Sequence, residues 1–139
     1  MTEFVTAKKL LQSGRYTCVL CKNGNIYLSE KRGVKPLVMW LDSGADFSGY
    51  SAADKVVGKG AAFLYVLLKV KEIYASVISK GALSVLNQYG IQVEYGTLVE
   101  NIINRTGPGI CPFEDAVADI NEADAAYTKI VRKMKEMNI

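Results

Sequence analysis

The chain of 139 residues contains no histidine. That absence excludes Ser-His-Asp hydrolysis, Cys-His proteolysis, imidazole acid–base work and every zinc site with a His ligand, because each needs the ring. Cysteine is scarce, at three residues. An odd number of thiols, with no N-terminal hydrophobic signal sequence, does not make a disulfide framework, so a reducing cytoplasm is the expected location. Long apolar runs are missing too. The longest, Ala61 to Leu68, is well short of the roughly 20 residues that cross a bilayer, and no membrane partner is expected. Nor is there a large charge of one sign. Seventeen Lys+Arg against 14 Asp+Glu leave +3, too little to announce nucleic-acid binding without a concentrated patch.

What is present describes a globular protein. Half of the residues are hydrophobic and 22% are charged, enough apolar surface to offset chain entropy in one domain spanning 1–139. The charge divides unevenly. Residues 1–80 hold 12 Lys+Arg and 6 Asp+Glu, whereas 81–139 hold 5 and 8. An acidic stretch, Glu114, Asp115, Asp119, Glu122 and Asp124, reads for the most part as the solvated face of a helix.

Periodicity and punctuation set the elements. Thr2 is placed to cap a first helix with Phe4, Ala7, Leu10 and Leu11 on one face, and Gly14 suits its end. Tyr16–Lys22 and Asn25–Glu30 are β-rich runs joined by Asn23-Gly24, a type I′ hairpin signature. Pro36 opens a short helix to Asp42, with a strand through Leu37–Leu41 as the competing reading. Ser51 and Asp54 have capping-box spacing, which predicts a central helix from about Ala52 to Val70 carrying Val57, Ala61, Leu64 and Leu68 on one face. Ile73–Ser79, Gly81–Tyr89 and Ile91–Tyr95 read as strand, helix and strand, so those two strands are expected to be parallel. Thr97 with Glu100 suggests another capped helix, through Asn104, ended by Thr106-Gly107-Pro108-Gly109. From Pro112 a last helical region follows, broken near Asn121.

This order gives an α/β fold, three layers α/β/α with a mixed sheet. Ala53-Asp54-Lys55-Val56-Val57-Gly58-Lys59-Gly60-Ala61-Ala62, with Ile102-Ile103-Asn104-Arg105 and Cys111-Pro112-Phe113-Glu114 downstream, resembles a prokaryotic family of cytidine-deaminase-like proteins whose function is unknown. The likeness runs from the first helix to about Val117. It implies a cytidine-deaminase-like fold and association as a symmetric homo-oligomer. It also implies where working deaminases hold zinc: a His or Cys, with a Glu beside it, at the start of the second helix, and two cysteines at the next strand–helix turn. Those places fall here within Lys55–Gly60 and Ser79–Ala82, and neither holds a thiol, an imidazole or a Glu. Zinc-dependent deamination is therefore not expected, no metal or cofactor is expected, and the resemblance implies a reused pocket without the reaction.

Several residues have both a structural and a chemical reading. Gly58 and Gly60 would each cost about 0.8–1.0 kcal/mol inside a helix relative to alanine, so something lies close to the backbone there, either another element or a ligand. A phosphate would suit that helix start, with Lys55 or Lys59 as counter-charge. Asp54 serves as a capping residue beside Ser51, or as a carboxylate at the pocket mouth. Asn104-Arg105 is a solvated helix end, or a polar pair with a guanidinium fork suited to pyrophosphate. Cys111 and Glu114 mark a helix start, or supply a thiolate and a carboxylate. Cys18 and Cys21 are three apart on a strand, hence on opposite faces, and cannot share a metal; one buried and one exposed thiol is expected.

The expectation is a metal-free domain binding a nucleotide-like small molecule with phosphate, a nucleoside diphosphate or an ADP-ribose-type compound. Its candidate contacts are Ser51, Asp54, Lys55, Gly58, Lys59, Asn104 and Arg105. The alternatives are an enzyme of another class acting on such a ligand, with Asp54, Cys111 and Glu114 as candidate catalytic groups, or a structural, partner-binding module.

Overall fold

A computed structural model describes residues 2–31, 33–103 and 109–139. The chain begins with α1 (Glu3–Gln12), whose cap is the Thr2 hydroxyl, accepting the Val5 N–H at 3.2 Å. A hairpin follows, β1 (Cys18–Lys22) and β2 (Asn25–Ser29). Asn23 and Gly24 between them take φ values of 49° and 83°, the paired positive angles a type I′ turn requires. Next come α2 (Lys35–Asp42), β3 (Ser51–Val57), α3 (Lys59–Leu68), β4 (Glu72–Ser79), α4 (Lys80–Gln88), β5 (Gln92–Val99), α5 (Pro112–Ala116) and α6 (Ala123–Met137).

The five strands form one mixed sheet in the order β2-β1-β3-β4-β5. β1 is antiparallel to both neighbours, and β3, β4 and β5 are parallel. Ala7 and Leu11 of α1 pack with Val19, Cys21, Ala53 and Tyr74 on one face. The other face, with Cys18, Leu20, Ala52, Val57, Ile73 and Ile78, carries the larger core under the remaining helices, including Phe63, Leu64, Leu86 and Ile130. The result is the three-layer α/β/α arrangement with a mixed sheet.

Two readings from sequence are corrected. The central helix does not begin at Ala52: Ser51–Val57 is the strand β3, in the middle of the sheet, and α3 starts after Gly58. The Ser51/Asp54 spacing is therefore not a cap. Pairing on both sides, Cys18↔Asp54 with β1 and Asp54↔Ala75 with β4, outweighs the intrinsic helical preference of Ala52 and Ala53, which tertiary pairing readily overrides. Likewise Thr97 does not cap a helix, because Thr97, Leu98 and Val99 continue β5 against Val77, Ile78 and Ser79.

The thiols correct a third expectation. Cys18 and Cys21 do face opposite sides of β1, but both are buried, at 2% and 3% exposure, because helices cover both faces of this interior strand. In the acidic stretch, Glu114 is buried at 5% while Asp115, Asp119, Glu122 and Asp124 are exposed.

Candidate functional site

A cavity of about 740 Å³ lies at the C-terminal ends of the parallel strands, where Asp54, Val56, Val77 and Val99 reach its wall. Such ends are where α/β sheets place their ligands, since the loops leave a crevice there. The start of α2 contributes Lys35. The helix start at Gly58, Gly60 and Ala61 forms another side, and Ile102, Cys111, Phe113 and Glu114 close it.

Asp54 is held from below. Its register partner on β1 is Cys18, so the two side chains stand together on one face. Tyr65, from α3 and fully buried, bridges them: its hydroxyl donates to Asp54 Oδ2 at 2.6 Å and lies 3.0 Å from Cys18 Sγ. Asp54 Oδ1 accepts the Val56 N–H at 3.2 Å. Burial pushes the Asp54 carboxyl up to about 7, against the opposing effect of the Tyr65 and backbone hydrogen bonds. Burial likewise raises the Cys18 thiol and the Tyr65 phenol well above their ordinary values, with the Asp54 charge adding to both. Cys18 and Tyr65 therefore stay protonated at neutral pH, while Asp54 changes charge there.

Glu114, also on the lining, occupies the start of α3. Its Oε1 accepts the Lys59 N–H at 2.8 Å and the Ser79 hydroxyl at 2.6 Å, and its Oε2 accepts the Ile102 N–H at 2.6 Å. Ser79 is itself the cap of α4, accepting the Ala82 N–H at 3.2 Å. One carboxylate thus joins the first turns of two helices. Among the described residues, no group of three or more Cys, Asp or Glu side chains could share a metal ion.

The glycines are explained in part by packing. A Cβ on Gly58 would stand 3.1 Å from both Glu114 Oε2 and Ile102 Cγ1, and one on Gly60 would stand 3.1 Å from the Phe113 carbonyl oxygen. α5 therefore crosses closely over the start of α3.

The sequence candidates divide accordingly. Asp54, Lys55, Gly58, Cys111 and Glu114 meet at the cavity. Ser51 does not: it is fully buried at the far end of β3, donating to Glu72 Oε2 at 2.5 Å. Lys59 turns its ammonium to the Ala118 carbonyl oxygen at 2.8 Å, with its amide on Glu114. Asn104 and Arg105 lie outside the described residues. Tyr65, Ser79 and Lys35 were not anticipated. Tyr65 sits inside the longest apolar run, where a hydroxyl is the one polar atom needing a partner.

The sequence matches, over residues 6–134, the family model described as TM1506, a domain of unknown function (DUF1893). The crystal structure of a DUF1893 family protein (TM1506) from Thermotoga maritima is similar at 27% identity and a TM-score of 0.86, over 96% of this chain and 91% of that one. An apo dCMP deaminase from the cyanophage S-TIM5 is similar at 19% identity and a TM-score of 0.44, over 67% of this chain and 93% of that one. No curated protein matches the sequence.

Proposed function

The chain belongs to the DUF1893 family, and from that premise we propose that its cavity binds a nucleotide-derived small molecule carrying phosphate, of nucleoside diphosphate or ADP-ribose type. The observation that carries this reading is the cavity itself: about 740 Å³, within the range of small-ligand sites, at the C-terminal ends of three parallel strands, with the Asp54 carboxyl in its wall. Its apolar lining from Val56, Val77 and Ile102 suits a flat base or sugar face. A carboxyl near neutrality can accept a ribose hydroxyl or, protonated, donate to a ring nitrogen.

The phosphate is better supported at Lys35 and Lys55, both on the lining, than at the α3 start. An anion at that start would have to displace Glu114 from three donors. The decisive experiment is calorimetry of CDP, ADP and ADP-ribose against cytidine and adenosine. Micromolar binding of a phosphate-bearing member that Asp54→Asn weakens at least tenfold is expected; no binding by any of the five at millimolar concentration overturns the reading.

A second reading, acid–base catalysis on such a ligand, is favoured by one observation, the Asp54 carboxyl at about 7, close to where a general acid or base works best. Of the other catalytic candidates, Glu114 is spent on the two helix starts. Assembly as a symmetric homo-oligomer belongs to the same proposal. The edge strand β2 offers Ile26 and Leu28 at 47% and 41% exposure, and light scattering at micromolar concentration tests it. Three free cysteines suit a reducing cytoplasm, and no described helix is long and apolar enough to cross a membrane.

A further inference from the structure

Behind the cavity wall lies a hydrogen-bonded file that ligand contact alone does not account for. We propose that Tyr65 and Cys18 are positioning residues that hold Asp54 as the proton-exchanging group of the cavity, with the exchangeable proton on Oδ1. The proposal rests on the reading that the cavity takes a ligand.

The direction of the file follows from counting protons. An ionised carboxylate only accepts, so the single phenolic proton of Tyr65 goes to Asp54 Oδ2, at 2.6 Å. The Tyr65 oxygen then has no proton left for sulfur, so at 3.0 Å the Cys18 thiol must donate to it. Each group behind Asp54 thus presents its one hydrogen toward the cavity. Both keep it at neutral pH, because burial raises the thiol and the phenol alike. Oδ2 is filled by a donor that does not leave. Oδ1, approached by the Val56 N–H at 3.2 Å, is the oxygen on which a proton comes and goes.

The groups around Asp54 are few. Tyr65 of α3 bonds it, Cys18 of β1 is its register partner, Lys55 follows it on β3, and Lys35 of α2, Cys111 and Glu114 share the cavity. Glu114 already accepts three hydrogen bonds. A structural purpose alone would be met by an apolar trio here, since burying a hydroxyl and a thiol against a carboxyl adds desolvation cost without enlarging the core.

The test is a ¹³C carboxyl titration of the full chain, with Asp54 assigned through Asp54→Asn. Wild type should titrate near 7. Tyr65→Phe, isosteric but without the donor, should raise the midpoint by about one pH unit, since a hydrogen bond to the charged form has been lost. Cys18→Ala should raise it by less, and Cys18→Ser, which restores a donor, should return it to the wild-type value. If Tyr65→Phe does not fold, the two Cys18 variants give the same comparison. A wild-type midpoint near 4, or one that neither Tyr65→Phe nor Cys18→Ala moves, overturns the proposal. Because the titration uses the free protein, it is separate from calorimetry. Absence of binding by CDP, ADP and ADP-ribose, with the midpoints as described, would overturn the ligand reading and leave the positioning of Asp54 supported.

Discussion

Glu114 and Lys59 stand 55 residues apart in sequence, and the Glu114 carboxylate accepts the Lys59 backbone N–H at 2.8 Å. The residue at the cap position of α3 is Gly58, which has no side chain to supply an acceptor. α5 supplies it instead, as a full negative charge at the positive end of the helix. Through Ser79 and Ile102 the same carboxylate fastens α4 and the strand exit of β5. The cavity wall is therefore built by a long-range cap.

Removing that cap should be costly. Glu114→Ala leaves the buried Ser79 hydroxyl and two backbone N–H groups without their charged acceptor, and a loss of about 3–5 kcal/mol in urea denaturation is expected. Glu114→Gln, which keeps the shape and one acceptor, should lose roughly half of that. A loss below about 1 kcal/mol for alanine would mean that water replaces the carboxylate at no cost.

Asp54 should make stability depend on pH in an unusual direction. Its folded value of about 7 lies above the ordinary 3.8, so between those values the native state holds a proton that the unfolded chain has lost. Stability therefore falls as pH rises from about 4 to 7 and stays lower above it. Asp54→Asn should remove this component, leaving a variant about 2–4 kcal/mol more stable than wild type at pH 8 and nearly equal to it at pH 4. Parallel curves for the two proteins across pH 4–8 would show that Asp54 titrates normally.

Gly60 has a packing reason that can be tested apart from any ligand. A methyl group there meets the Phe113 carbonyl oxygen at 3.1 Å, and backbone yields less readily than a side-chain tip. Gly60→Ala should cost about 1–3 kcal/mol by overpacking, despite the better helix propensity of alanine. A stabilised variant would show that α5 moves aside freely.

Much of the frame was legible because its signals are local. Thr2, Asn23-Gly24 and Pro36 each act within a turn of chain, and α1, the hairpin and α2 lie where those residues put them. The parallel pair β4 and β5 followed from two apolar runs around a helix. The failures are where long-range pairing decides. Ser51 to Val57 has a helix-cap spacing by coincidence, and only its two strand partners reveal it as the sheet centre. Of the candidate site, Asp54 stood out by its spacing from Ser51 and Glu114 by the helix start at Cys111-Pro112-Phe113-Glu114, and both line the cavity. Tyr65 and Ser79 were not, since their partners lie 11 and 35 residues away. Cys18 lost its significance when treated only as half of a Cys-x-x-Cys pair.

Zinc should not be stoichiometric. The end of β3 and start of α3, Lys55–Gly60, offer no soft donor, Ser79 donates its hydroxyl to Glu114, and the thiols of Cys18 and Cys21 are raised by burial on opposite faces of β1. Elemental analysis should find far less than one zinc per chain, and chelator should leave Tm unchanged. One retained zinc, lost on mutating Cys18, Cys21 or Cys111, would mean that a ligand set forms outside these two places.

The lysines give the sharpest test of where a phosphate sits. Lys59 spends its ammonium on the Ala118 carbonyl oxygen at 2.8 Å and its amide on Glu114, whereas the Lys55 ammonium holds only a longer bond, 3.2 Å, to the Gly14 carbonyl oxygen. A neutral carbonyl competes poorly with a phosphate for an ammonium group, so a charged ligand within reach of Lys55 would draw it away from Gly14. Lys55→Ala and Lys35→Ala should each weaken CDP or ADP binding by about three- to tenfold while changing cytidine or adenosine much less. Both should also flatten the salt dependence, because one screened attraction is gone. Lys59→Ala should instead lower stability by about 0.5–1.5 kcal/mol, the worth of one hydrogen bond, with affinities for both ligand types nearly unchanged. The opposite pattern, a nucleotide-specific loss in Lys59→Ala with Lys55→Ala silent, would place the phosphate at the α3 start and require Glu114 to give way there.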